Sequence, residues 1–317
     1  MKLKIIFMGT PVFALASLDT IIKRNPKDLR VVTQPDRPKG RGKKLGMPPM
    51  KKKALEHGLE IYQPSKLKDP ASIDLIKNIK PDLIVVVAYG QILPKEIIHL
   101  PPLGCINIHA SLLPKYRGAA PINWAIIKGE KTTGITSMYM DEGLDTGDII
   151  LQEEIPIGDN ETAGELHDRL SIVGAGVLEE TLNLLQAGEL ATLKQDDDQS
   201  SYAPMMTKDL GEIGWEKPAK EIHNLIRGTI PWPMPYTYYK NKRMRIWESR
   251  IINHDTSGKP GTILKVLRDE ILVATGEGVI AIRKLQFSGR KKLKVEDYLI
   301  GNKIEKEIRL GLVNGKE

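Results

Sequence analysis

Leu83-Ile84-Val85-Val86-Val87-Ala88 is the stretch whose reading decides the fold. It is a continuous apolar run with no polar alternate face, and most of it is β-branched. A strand covered on both sides needs that pattern, which belongs to a parallel sheet held between helices. The flanking sequence repeats an alternation of strand and helix. Lys4 to Met8 reads as a buried strand, Phe13 to Ile22 has helical spacing, and Leu29 to Thr33 reads as a second strand. Downstream, Cys105 to His109 is another strand and Ala119 to Lys128 is helical. Ile135 to Met140 and Ile149 to Ile157 alternate more, and Glu161 to Leu185 carries a long helical pattern. Strands separated by crossover helices predict an α/β unit whose ligands bind beyond the carboxyl ends of its strands.

The pattern then changes. Ala187 to Pro204, with Asp196-Asp197-Asp198-Gln199-Ser200-Ser201, reads as an exposed connector. Pro218 to Arg227 reads as a short helix with Ala219, Ile222 and Ile226 along its apolar stripe. Short strands follow at roughly 237–240, 244–251, 261–267, 271–275 and 279–287. Such strands with Gly-rich turns fit a small Greek-key barrel of the OB type, and other small barrels fit nearly as well. The expected organisation is a Rossmann-like, mainly parallel sheet domain at 1–189, a linker at 190–207, and an OB-like β-barrel at 208–317.

Composition bounds the function. No apolar run approaches the ~20 residues of a membrane helix. The start, Met1-Lys2-Leu3-Lys4-Ile5-Ile6-Phe7-Met8, does not read as a signal peptide. One cysteine allows no internal disulfide, so the expected setting is cytoplasmic. No transit peptide is read at the start, which favours bacterial cytoplasm, although a mature organellar chain would look the same. The net charge of +7 is uneven: residues 208–317 carry +8 and residues 1–207 carry −1. Residues 37–53 nevertheless hold eight basic side chains and no acid (Arg37, Lys39, Arg41, Lys43, Lys44, Lys51, Lys52 and Lys53). The total alone says no more than solubility, but its concentration into two blocks favours a polyanionic partner such as RNA.

Asn107 and His109 carry the chemistry. Side chains alternate along a strand, so these two share one face while Ile106 and Ile108 anchor the other. An amide and an imidazole at a strand's carboxyl end suit acyl transfer, as oxyanion donor and proton-handling group. His109 alone reads more often as a structural or solvent-facing histidine, and Asn107 two residues away brings the two readings level. The loop Asp141-Glu142-Gly143-Leu144-Asp145-Thr146-Gly147-Asp148 could bring a carboxylate to the imidazole, or be an ordinary turn. With six histidines, no close histidine pair and no paired cysteines, no metal is expected. Gly9-Thr10-Pro11 lacks the dinucleotide fingerprint. Ser111 lies outside a nucleophile-elbow context and reads as an accessory hydrogen-bonding group.

The run Asn107-Ile108-His109-Ala110-Ser111-Leu112-Leu113-Pro114-Lys115-Tyr116-Arg117-Gly118-Ala119-Ala120-Pro121-Ile122 resembles the core signature of the folate-dependent formyltransferases, and within them those acting on charged tRNA. Gly9-Thr10-Pro11-Val12-Phe13-Ala14, Thr33-Gln34-Pro35-Asp36-Arg37-Pro38 with Gly40-Arg41-Gly42, and Gly143-Leu144-Asp145-Thr146-Gly147-Asp148 are similar to the family's other blocks, in order. So are Ile226-Arg227-Gly228 through Pro231-Trp232-Pro233, and Leu285-Gln286-Phe287-Ser288-Gly289. The resemblance implies formyl transfer from 10-formyltetrahydrofolate to the α-amine of methionine on initiator tRNA, by a monomer using Asn107, His109 and Asp145. It implies a pterin site from Ala88, Tyr89, Gly90, Gln91 and Ile92, with Ser111, Leu112, Leu113, Pro114, Asp141, Gly143 and Leu144. It implies tRNA contacts from a mobile loop bearing Arg37, Lys39, Arg41, Lys43 and Lys44, and from Arg243, Arg245, Arg290 and Lys291. Another folate-dependent formyltransferase, a formylfolate hydrolase or a catalytically silent tRNA-binding protein remain the alternatives.

Overall fold

Every residue of Leu83–Val87 is buried, because the strand lies inside a seven-stranded sheet. The order across that sheet is Ile149–Pro156, Thr132–Tyr139, Cys105–His109, Leu83–Val87, Lys4–Gly9, Asp28–Val32, Glu60–Tyr62. The last five pair in parallel, and Thr132–Tyr139 runs antiparallel to Cys105–His109. The computed structural model describes residues 2–39, 44–252 and 258–312. The chain divides into two compact units. Met1–Pro121, Thr132–Ile155 and His167–Ala203 form the first, and Ile122–Lys131, Pro156–Leu166 and Pro204–Glu317 the second.

Winding positions the site. In chain order the parallel strands lie third, second, first, fourth, fifth, so the direction of winding reverses between Lys4–Gly9 and Leu83–Val87. Ligands of such sheets bind in the crevice beyond the strand ends at that reversal. Thr10 and Tyr89 stand there, the Thr10 hydroxyl donating to the Tyr89 carbonyl at 2.8 Å. The strand Glu60–Tyr62 and the helices Pro49–Glu56 and Pro70–Ile79 were not expected from the sequence. The strand is a short, polar sheet edge. Each helix opens on proline, which reads as a break yet is accepted in the first turn, where its missing N–H has no partner to lose.

The second unit is a curled antiparallel sheet of OB-like form, ordered Tyr236–Tyr239, Lys242–Ile252, Val279–Phe287, Ile271–Ala274, Ile263–Val266. A further strand, Leu293–Lys294, pairs with Val279–Phe287. Ile222 and Ile226 of helix Ala219–Gly228 pack into the barrel core with Ile246, Val273, Ile280 and Ile282. The same helix buries polar residues, and they have partners. Arg227 donates to the carbonyls of Gly158 at 3.0 Å and Glu161 at 3.2 Å, and to Asn224 Oδ1 at 3.0 Å.

His223 donates from Nε2 to the Asp159 carbonyl at 3.2 Å, and its Nδ1 meets the Ser249 hydroxyl at 2.9 Å. Burial pushes this imidazole below its ordinary value of 6.5, assisted by Arg227 and opposed by the hydrogen bond to the Asp159 carbonyl and by the Asp159 charge. An unfolded His223 therefore takes up a proton at a higher pH than the folded one. Its contribution to stability is complete above pH ~6.5 and falls as pH drops from there toward the lower folded value. Urea midpoints measured from pH 7.5 down to 5 should fall more steeply for the native chain than for His223→Gln, whose side chain does not titrate. Parallel curves would contradict this.

Candidate active site

Strand Cys105–His109 sets the geometry. Ile106 and Ile108 are buried on one face, and Asn107 and His109 turn together toward the 141–148 loop. Asn107 Nδ2 donates to Asp145 Oδ1 at 3.4 Å, and His109 Nδ1 stands 3.7 Å from Asp145 Oδ2. Gly118 N–H donates to that same Oδ2 at 2.8 Å. His109 Nε2 lies 3.0 Å from the Tyr116 carbonyl, which can only accept, so Nε2 carries a hydrogen and Nδ1 is the nitrogen free to gain or lose one. The His109 and Asp145 side chains are only 7% and 13% exposed, so their interaction is weakly screened.

Local structure explains the arrangement. Gly118 has φ +113° and no room for a Cβ, which would lie 2.7 Å from the Tyr202 ring and 2.9 Å from the Ala203 carbonyl. Only glycine brings its N–H this close to the carboxylate. Arg117–Gly118 pairs in parallel with Tyr202–Ala203. The preceding loop is pinned by Ser111 Oγ donating to the Lys115 carbonyl at 2.6 Å and Leu113 N donating to Thr136 Oγ1 at 3.1 Å. Cys105, at the start of the strand, is buried and its thiol is pushed up to about 12, which leaves it inert as a nucleophile at neutral pH.

The residues expected around a pterin divide into two groups. Ala88, at φ +49°, and Gly90, at φ +86°, are exposed at the turn after Leu83–Val87. Ile92 is 87% and Leu144 52% exposed, which leaves apolar surface uncovered. Asp141 Oδ1 closes its own loop, accepting from Gly143 N at 3.0 Å and Thr146 Oγ1 at 2.6 Å. Leu112 and Pro114 are half-buried. Others are used by the fold. The Tyr89 ring packs in the core with Met8, Val86 and Leu93, and burial pushes its phenol up to about 12. Gln91 accepts from Leu67 N at 2.8 Å and donates to the Pro64 carbonyl at 3.2 Å. Ser111 and Leu113 are buried. The side chains of Tyr89 and Gln91 are thus committed to the fold.

The basic loop has more structure than its sequence suggests. Arg37–Lys39 and Lys44–Gly46 form an antiparallel ribbon, a pairing that Pro and Gly between the charges conceal in the sequence. Arg41 and Lys43 lie outside the described residues. Arg37 donates to Gln34 Oε1 at 3.0 Å, and Gln34 Nε2 reaches the Tyr89 carbonyl at 3.4 Å. On the second unit, Arg245, Arg290 and Lys291 are exposed, while the Arg243 guanidinium lies 3.6 Å over the Tyr236 ring.

Sequence reasoning missed Arg117 and Gln195. Gln195 comes from the tract read as an exposed connector, yet it donates to the backbone of the Asp145 turn and accepts from Arg117. A lone glutamine in a polar stretch carries no sequence signal of that role.

Residues 1–182 match the formyl transferase family and residues 205–303 its C-terminal domain. A methionyl-tRNA formyltransferase of Alkaliphilus metalliredigens is 58% identical over 313 residues, spanning 99% of this chain and 100% of its own. The chain belongs to the methionyl-tRNA formyltransferase family. A second relative of the same name, from Clostridioides difficile, is 52% identical over 309 residues, 98% of this chain and 100% of that one. Among solved structures, a sugar 3N-formyl transferase determined with dTDP and 5-N-formyl-THF has a TM-score of 0.70 at 24% identity, covering 92% of this chain and 100% of its own. An N-formyltransferase from Helicobacter canadensis, in complex with folinic acid and dTDP-3-aminofucose, has a TM-score of 0.69 at 22% identity, covering 88% and 98%. Those two share the fold. The chain is a formyltransferase, and among the described residues no helix is long and apolar enough to cross a membrane.

Proposed function

We propose that this chain moves the formyl group of 10-formyltetrahydrofolate onto the α-amine of methionine carried by initiator tRNA, acting as a monomer in the bacterial cytoplasm. The observation that carries the proposal is the convergence of Asn107, His109 and Asp145 at the carboxyl edge of the sheet, in a chain so similar to methionyl-tRNA formyltransferases. The reaction joins the methionine nitrogen to the formyl carbon, breaks that carbon's bond to folate N10, and passes one proton from the attacking nitrogen to the departing one.

The side chains suit those demands. One hydrogen of Asn107 Nδ2 is directed at Asp145, and the second is the proposed donor to the oxygen that gains charge as the carbonyl is attacked. His109 exchanges its proton at Nδ1. When Nδ1 is charged, the Asp145 carboxylate 3.7 Å away balances it in a poorly solvated setting. Asp145 helps relay the proton, through a bridging water if the 3.7 Å separation persists. Exposed Ile92 and Leu144, with the backbone of Ala88 to Gly90, fit a flat heteroaromatic ring that needs apolar contact and a few fixed polar groups. The basic ribbon is proposed to meet the acceptor end of tRNA, and exposed barrel cations its body.

Acceptor choice tests the reading. Labelled 10-formyltetrahydrofolate would be offered charged initiator tRNA and dTDP-3-aminofucose in parallel. Label on the tRNA alone is expected. Label on the amino sugar alone would overturn the assignment while keeping the fold.

A further inference from the structure

We propose that Gln195 is a positioning residue for the transfer reaction. It holds the 145–147 turn so that the Asp145 carboxylate reaches Asn107, His109 and Gly118. The inference rests on the reading of Asp145 as one of the reacting trio.

Gln195 Nε2 donates to the Asp145 carbonyl at 2.8 Å and to the Gly147 carbonyl at 2.7 Å, so one NH2 group brackets Thr146. Its Oε1 accepts from Arg117 Nε at 3.0 Å and Nη2 at 2.8 Å. The amide has one orientation that fits, since a guanidinium only donates and a carbonyl only accepts.

The turn needs such a restraint. Asp145 sits at φ +55°, a conformation that L residues other than glycine enter at a cost. Gly147 is pressed so close to the strand that a Cβ would lie 1.8 Å from the Tyr139 carbonyl. The residue bearing the carboxylate is therefore strained, and Gly147, two residues on, leaves no room to relax. Arg117 is also the residue before Gly118, whose N–H binds Asp145 Oδ2. A single side chain thus ties the segment that carries the carboxylate to the segment that receives it.

Gln195 is itself fixed. Leu193 and Ile149 exchange two backbone hydrogen bonds at 2.8 Å, and Asp197 Oδ1 accepts from Arg117 Nη2 at 2.7 Å. Tyr202–Ala203 then pairs with Arg117–Gly118.

A double-mutant comparison tests this, using the full-length enzyme with charged initiator tRNA. Gln195→Glu keeps the acceptor for Arg117 but removes both donors to the turn. It should lower kcat by about 10–100-fold, the range expected for a catalytic group displaced by up to ~1 Å. KM for both substrates and binding of 5-formyltetrahydrofolate should stay within about twofold of the native values, because substrate contacts are untouched. In an Asp145→Asn background the same change should cost nothing further, since Gln195 acts only through that carboxylate. Native kcat in Gln195→Glu, or a double variant slowed by the product of both effects, would overturn the proposal. Full turnover in Asp145→Asn would instead sink the trio reading itself, and the restraint with it. If Gln195→Glu does not fold, as judged by thermal melting, Gln195→Met carries the same expectations.

Discussion

Asn107→Ala should lower kcat for formyl transfer by about 10²–10³-fold, or roughly 2.7–4 kcal/mol, the effect of removing one oxyanion donor. The physical basis is where charge develops. A formyl oxygen becomes an oxyanion only as the amine attacks, so a donor aimed at it acts on the transition state far more than on bound substrate. Asn107 is held for that role by its strand, with Ile106 and Ile108 locked in the core and the amide fixed by Asp145. KM for tRNA should therefore change little, and kcat and kcat/KM should fall together. Asn107→Ala also leaves Asp145 with Gly118 N–H as its remaining short contact, so thermal melting must accompany the kinetics. Near-native turnover in a folded variant would show that the oxyanion is held elsewhere.

The second large effect concerns the basic segment 37–53. Neutralising Arg41 and Lys43 together should reduce the slope of log affinity against log salt by about 1.4–1.8, from two lost phosphate contacts at ~0.7–0.9 each. Affinity for tRNA near physiological salt should fall on the order of tenfold. Binding of 5-formyltetrahydrofolate should not change, because neither cation is among the residues proposed for the pterin. The expectation follows from charge placement: eight bases and no acid lie from Arg37 to Lys53, in a part of the chain, residues 1–207, that is otherwise net negative. Filter binding across a salt series measures it. An unchanged slope would place the phosphate contacts on the barrel instead.

The first unit's sheet was legible because its central strands are continuous apolar runs, which occur where both faces are covered. Cys105–His109 emerges with the bounds its pattern suggested. The edges were harder to read. Glu60–Tyr62 is three residues long and starts on a charge, so it has neither an apolar run nor a clear alternation. The barrel's helix was legible through Ala219, Ile222 and Ile226, yet nothing in its spacing announced that His223, Asn224 and Arg227 are buried as well. Buried polar groups are defined by what they bind: His223 and Arg227 bind a turn 64 and 69 residues earlier in sequence, and Asn224 accepts from Arg227.

The site shows the same division. Asn107 and His109 share a face by simple alternation, and the structure brings Asp145 to both. Tyr89 illustrates where alternation stops. Ala88 at φ +49° breaks the strand's parity, so the next side chain returns to the core instead of following the ligand-facing edge. Gln195 was illegible for a different reason. Its partners are backbone carbonyls, which have no sequence identity, and one guanidinium distant in the chain. Polar tracts read as connectors deserve checking for such contacts wherever they border a site.

The most direct test of the account is a single reaction course with labelled 10-formyltetrahydrofolate and three acceptors: charged initiator tRNA, charged elongator methionyl-tRNA, and uncharged initiator tRNA. Label is expected on the methionine α-amine of the charged initiator, little on the elongator, and none on the uncharged tRNA. Folate consumed without label on any tRNA, or tRNA bound without transfer, would contradict it.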